Sequence, residues 1–132
     1  MRVTNGADRT ANRGLVTILL RLEGAAALVA GILLYQQTGA DWILFVVLLL
    51  LPDLSILGYA RGPAIGAVIY NVVHTWALSG ALLGLGFFLQ LPIVFGAGAA
   101  LLAHIGGDRL LGYGLKYPTS FQDTHLGRIG RR

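Results

Sequence analysis

Cysteine is absent from the 132 residues, which excludes a disulfide framework and any thiolate metal site. Charge is scarce. Only 12% of the residues are Asp, Glu, Lys or Arg, against 55% hydrophobic, and the mean hydropathy is +0.70. Such a balance places the chain with integral membrane proteins. Internal repeats, low-complexity segments and linkers are also missing, and no two-fold repeat of the transporter type is visible. What fills the chain is a set of apolar stretches of roughly 20 residues each, enough to cross a bilayer and to leave no room for a soluble module. The expected fold is all-α: a single-domain integral membrane bundle of four transmembrane helices, with both termini cytoplasmic.

The ends of the spans are marked by local chemistry. Residues 1–14 are polar and carry Arg2, Arg9 and Arg13. The apolar run after them is too long for a signal peptide and has no clear cleavage site, so it reads as a retained first helix over residues 15–35. A polar turn at Gln36, Gln37, Thr38 and Gly39 closes it. Asp41 then offers a short acceptor side chain for the free N–H groups of a second helix over residues 42–59. Pro63, tolerated at a first helical position because its missing N–H would be unpaired there, opens a third span over residues 63–89. That stretch is long enough to require a tilt or a break, expected at Ser79-Gly80. Pro92 opens the fourth span, residues 92–111, and Gly112 and Gly114 stop it. Gly80, Gly84, Gly86, Gly96, Gly98, Gly106 and Gly107 predict close helix packing in the second half. A polar tail covers residues 116–132.

The basic residues set the topology. The N-terminal arm, the Arg61 turn and the tail all carry Lys or Arg, whereas the turns at residues 36–41 and 89–92 carry none. This obeys the positive-inside rule for a multi-pass protein of the inner (plasma) membrane. A net charge of +4 and a pI near 10.0 fit contact with anionic membrane lipids. Nucleic acid is excluded as a partner, since no aromatic-basic module or recognition helix exists.

Against this apolar background stand Glu23, Asp53, His74, His104 and Asp108. An ionisable side chain near a bilayer centre costs roughly 2.5–3.5 kcal/mol, so three unpaired carboxylates would cost about 8–10 kcal/mol. Counted at 1.5 Å per residue from the cytoplasmic ends, Glu23 and His74 lie roughly 15–17 Å in, Asp53 and His104 about 10 Å, and Asp108 about 5 Å. All five therefore share the cytoplasmic half and are expected in one pocket. His104 and Asp108 are four residues apart and project from one helix face, as two ligands of one cation would. Tyr70, Asn71, His74 and Thr75 share a side of the third helix. Pro52 removes an N–H just before Asp53 and frees the carbonyl of Leu48.

Each of these residues also has a structural reading. A membrane His serves as an interhelical hydrogen-bond donor, His104 with Asp108 as an ordinary ion pair, Asp53 as the cap of a broken helix, and Glu23 as a partner of Arg21 or of a neighbour's Arg109. Arg109 is an interfacial anchor or a phosphate holder. His125 in the tail is expected to be solvated, with folding back over the pocket as the other possibility. Trp42 and Trp76 are packing and interface residues, and the glycines form no phosphate loop because no strand precedes them.

The strings LLPDLSILGYARGPAIGAVIYNVVHT, AHIGGDRLLGYGLKYP and DTHLGRIG resemble an uncharacterised bacterial membrane family, domain of unknown function 4260, from Arg21 to Gly130. That family carries no assigned activity. The order Pro52-Asp53, His74, then His104 to Asp108 before a Gly-rich turn is similar to inner-membrane metal-dependent hydrolases of the YdjM type. This chain has Ser55 and Asn71 where that family has a further His and acidic residues.

Two imidazoles with two or three carboxylates and no sulfur suit Zn²⁺, Mn²⁺ or Fe²⁺. The expectation is a metal-dependent membrane hydrolase with Asp53, His74, His104 and Asp108 as ligands and Glu23 as catalytic base or further ligand. Arg61, Arg109 and Lys116 would receive the anionic headgroup of a lipid-like substrate. Two other readings stay open: a proton or cation transporter or channel subunit, which in so short a chain would need a homo-oligomer, and a non-catalytic accessory protein whose polar groups join helices.

Overall fold

The computed structural model describes residues 6–129. Arg2, Arg131 and Arg132, among the basic residues of the two termini, lie outside the described residues, as does the Arg9 side chain. The first helix, α1, runs Gly6–Gln36. It begins well before the apolar boundary at Leu15, and its 31 residues correspond to about 46 Å at 1.5 Å per residue. Asp41 caps α2 (Trp42–Leu50) as its position suggests, its Oδ1 accepting from the Ile43 N–H at 2.7 Å.

Beyond Leu50 the chain does not stay α-helical. Leu51 N–H still reaches the Val47 carbonyl, but Pro52 has no N–H for Leu48, and the chain tightens into a 3-10 helix over Leu51–Arg61. Ser55 fastens the turn by donating its hydroxyl to the Pro52 carbonyl at 2.7 Å. An 11-residue 3-10 run is long for this geometry, which is usually confined to a few residues.

The third span is broken, though not at the expected place. α3 covers Pro63–Val73 and α4 covers Trp76–Phe88, so the break falls at His74 and Thr75. Thr75 takes an extended backbone and its hydroxyl accepts from the Ala77 N–H at 3.0 Å, an N-cap that starts a fresh helix. Ser79, by contrast, lies inside α4 with its hydroxyl donated back to the Trp76 carbonyl at 3.0 Å, and Gly80 is helical beside it. A threonine cap therefore outweighs a Ser-Gly pair as the breaking signal. α5 follows at Pro92–Leu111 and ends on Gly112 in the left-handed conformation at φ 90°.

Four helical stretches, Thr10–Gln36, Trp42–Arg61, Pro63–Phe88 and Pro92–Leu111, are long and apolar enough to cross a membrane. Their exposed surfaces carry Leu, Ile, Val and Phe side chains such as Leu22, Val29, Leu57, Val68 and Phe88, as a lipid-facing surface should. Polar burial is concentrated instead around α5, the helix on which α1, α2 and α4 all pack.

Small residues make that packing possible. Gly96, Gly98, Ala99, Ala100, Ala103 and Gly106 line the buried face of α5. A Cβ at Gly31 of α1 would lie 2.6 Å from both the Ala103 nitrogen and the Ala99 carbonyl oxygen, so the two backbones touch. Without a hydrophobic drive between helices in lipid, such van der Waals contact is what holds them. Near the end of α1, Tyr35 stacks edge-on against Phe45 and donates its hydroxyl to the Asp41 carbonyl at 2.7 Å.

The tail is folded. Strands β1 (Asp123–Thr124) and β2 (Gly127–Arg128) form a two-stranded hairpin pairing Asp123 with Arg128, and Lys116 bridges to Thr124. Asn71 of α3 grips this unit by both ends of its amide: Lys116 N–H donates to Oδ1 at 2.6 Å and Nδ2 donates to the Lys116 carbonyl at 2.7 Å.

Three substitutions check this architecture by thermal unfolding in detergent. Gly31→Leu is expected to destabilise by about 1–3 kcal/mol through overpacking, whereas Gly84→Ala, where a Cβ meets nothing within 4 Å, gains up to about 1 kcal/mol of helix propensity. Asn71→Ala leaves buried backbone groups of Lys116 unpaired, at about 1–3 kcal/mol. Limited proteolysis should then cut the tail before the helices.

Candidate metal centre

Three devices bring the site together. The break after α3 leaves His74 as the cap at the C-terminal end of that helix, its ring meeting His104 of α5. Pro52 and the 3-10 helix that follows deliver Asp53. The four-residue spacing on α5 supplies His104 and Asp108 from one face.

The polar atoms converge. His74 Nε2 and His104 Nε2 are 3.2 Å apart. Asp53 Oδ1 lies 3.3 Å from His104 Nε2 and 3.9 Å from His74 Nε2. Asp108 Oδ2 lies 3.3 Å and 3.7 Å from the same two nitrogens. The ligand atoms of Asp53, His74 and His104 all fall within 4.8 Å of one another, so these residues form a group able to hold a metal ion, with Asp108 in contact with both histidines. Ligand bonds of 2.0–2.1 Å around a tetrahedral ion place neighbouring ligand atoms about 3.3 Å apart. The three separations to His104 Nε2 match that edge length, the two carboxylates lie farther from His74 Nε2 at 3.7 and 3.9 Å, and the group whose ligand atoms are all mutually close is Asp53, His74 and His104 without Asp108.

Hydrogen bonding decides which nitrogen of His74 faces the cluster. Its Nδ1 is 2.8 Å from the Tyr70 carbonyl, and a carbonyl only accepts, so Nδ1 carries the proton and the neutral ring presents a lone pair at Nε2. The Tyr70 ring stacks on the imidazole at 3.7 Å and 8°. One residue thus fixes both the tautomer and the plane of His74. Both histidines are buried, Asp108 is partly covered, and Asp53 is the open member, with half of its side chain exposed.

The other expected site residues are placed differently. Glu23 is exposed on α1, and among the described residues no ion pair includes it. The next residue, Gly24, is the one that faces α5: a Cβ there would lie 2.6 Å from the Arg109 Cβ and 2.7 Å from the Gly106 oxygen. Arg109 is buried. Its guanidinium donates to the His74 and Tyr113 carbonyls, both at 3.3 Å, and sits 5.7 Å over Trp76. It clamps α5 to the break that carries His74. Lys116 is buried as well, its ammonium 3.8 Å from the Phe121 ring and 4.9 Å from the Tyr70 ring. Burial pushes its pKa down, opposed by the Asp108 charge. Of the three basic residues expected at a headgroup, Arg61 alone lies exposed.

His125 is exposed but not merely solvated: its Nδ1 accepts from the Leu115 N–H at 2.8 Å. Desolvation, and then the Arg109 charge, lower its pKa. In the hairpin, hydrogen bonding from Thr119 and the nearby Arg128 hold the Asp123 carboxyl below its ordinary range. Tyr70, Phe121 and the Thr75 cap have clear roles around the site that sequence reasoning did not assign. The available signals were an aromatic residue one turn before His74 and a threonine immediately after it.

A comparison with known families matches the description Domain of unknown function (DUF4260) over residues 17–129. All four clustered residues fall inside that stretch. No curated protein and no solved structure matches the chain, so the resemblance to YdjM-type hydrolases rests on the order of the motif residues alone. The match spans nearly the whole chain, and this membrane protein belongs to the DUF4260 family.

Proposed function

We propose that Asp53, His74, His104 and Asp108 bind one divalent cation within the membrane, and that the centre serves hydrolysis of a membrane-associated phosphoryl or acyl substrate. The observation that carries this reading is the convergence of two imidazole nitrogens and two carboxylates, from three separate helical segments, at 3.2–3.9 Å. The sulfur-free donor set favours Zn²⁺, Mn²⁺ or Fe²⁺. Bound there, such an ion would lower the pKa of a coordinated water to near 7 and polarise a phosphoryl or acyl oxygen.

The protein's own groups have distinct parts in this scheme. His74, held by the Tyr70 carbonyl, and His104, both buried, fix the site's dimensions. A hydrolytic centre needs a coordination position for water, which four protein ligands would leave only by expansion beyond four-coordination, and water and substrate would approach from the side of the half-exposed Asp53. Glu23, exposed on α1, does not enter the scheme. Arg109 acts through the His74 carbonyl as a positioning residue. The end of the bundle bearing Arg13, Arg61 and Arg128 is read as cytoplasmic, in the inner membrane, because the turns at the other end carry no Lys or Arg.

Metal analysis of detergent-purified protein tests the proposal. Wild type is expected to retain about one equivalent of metal per chain, and His104→Ala and Asp108→Ala to lose it, while Glu23→Gln keeps it. Wild-type protein without stoichiometric metal would overturn the reading. Tyr70→Leu, which removes the stacked ring but leaves the ligands, should weaken metal affinity about 10–100-fold, the range for partners that orient a ligand. Tyr70→Phe should restore it.

A further inference from the structure

A cavity of about 650 Å³ lies between the first half of α1 and the C-terminal hairpin, lined in part by Arg13, Val16, Leu20, Tyr117, His125 and Leu126. None of the four clustered residues lines it. Its walls change character along α1. The chain passes there from its polar segment, ending at Gly14, to the apolar run beginning at Leu15. Arg13 therefore sits at the water side of the cavity and Val16 and Leu20 at the lipid side.

The charged and ring donors of the polar end are Arg13 and His125. Leu115 N–H donates to His125 Nδ1 at 2.8 Å, so that nitrogen accepts and the neutral ring carries its proton on Nε2, a donor. The Arg13 guanidinium offers donors and no acceptor. Among the described residues no ion pair includes Arg13, and no carboxylate lines the cavity. The hydroxyls of Thr17 and Thr124, also in the lining, give their protons to the Arg13 and Gly127 carbonyls at 3.0 Å and 2.6 Å. Donors without anions at one end and aliphatic side chains at the other match an anionic amphiphile. Leu15 and Leu19, exposed on the same stretch of α1, extend the apolar surface toward the bilayer.

We propose that this cavity binds one anionic phospholipid, its phosphodiester held by Arg13 and His125 and its acyl chains laid along Val16 and Leu20. The inference is independent of the metal reading. Free phosphate would satisfy the donors but leave the apolar half of the cavity unfilled, so the lipid is the better match.

Native mass spectrometry of the full chain in detergent, supplied with equal phosphatidylglycerol and phosphatidylcholine, tests it. Wild type should retain one phosphatidylglycerol in preference to phosphatidylcholine. Arg13→Gln should lower that retention about fivefold, the effect of one cation near an anionic surface, with an unchanged thermal midpoint. Arg128→Gln, outside the cavity lining, should retain lipid as wild type does. Equal retention of the two lipids, undiminished retention in Arg13→Gln, or displacement of the lipid by millimolar inorganic phosphate would each overturn the proposal.

Discussion

Two imidazole nitrogens 3.2 Å apart, one of them committed to a lone pair by the Tyr70 carbonyl, need either a hydrogen between them, the Nε2–H of a His104 that donates to His74, or a cation that takes both lone pairs. The carboxylates of Asp53 and Asp108 beside the pair favour positive charge there, since negative charge in lipid is expensive unless compensated. A proton shared among the four groups or a bound cation supplies it. The rest of the site is organised around this constraint: Tyr70 fixes one ring, and Arg109 ties the α3–α4 break to α5 through the His74 carbonyl.

Irregular backbone delivers the ligands. The 3-10 helix after Pro52 and the interruption at His74–Thr75 both occur at membrane depth, where exposed backbone groups are tolerated only when buried in protein or lining a polar cavity. Here they do so beside the polar cluster, and the hydroxyl of Thr75 repairs the new helix start. The regular helices carry the opposite burden. α5 is lined with Gly and Ala so that α1 can approach to backbone contact, and this central helix holds His104 and Asp108 in register with the broken segments.

The tail joins the same structure from outside the bundle. Asn71 holds the Lys116 backbone at both its donor and its acceptor, and the Lys116 ammonium lies over Tyr70, the residue that stacks on His74. The hairpin and the cluster are thus two faces of one aromatic layer. An anionic lipid beside Arg13 and His125 would sit against the outer surface of that hairpin.

Much of this was determined by the sequence alone, because some signals are local. Apolar length predicts four spans, Asp41, Pro63 and Pro92 mark helix starts, and the four-residue spacing of His104 and Asp108 commits them to one face whatever surrounds them. Other features depend on which side of a helix meets a neighbour, and in a helix apolar all round no periodicity records it. Glu23 and Gly24 illustrate this: one residue of rotation turns the glycine to α5 and the carboxylate outward. Arg109 and Lys116 look like surface cations in sequence, but a carbonyl at His74 and two aromatic rings, distant along the chain, draw them inside. The residue types of the cluster were legible as chemistry, while their separations of 3.2–3.9 Å were decided by tertiary structure, since only the packing of broken helices on α5 fixes distances between residues so far apart in the chain.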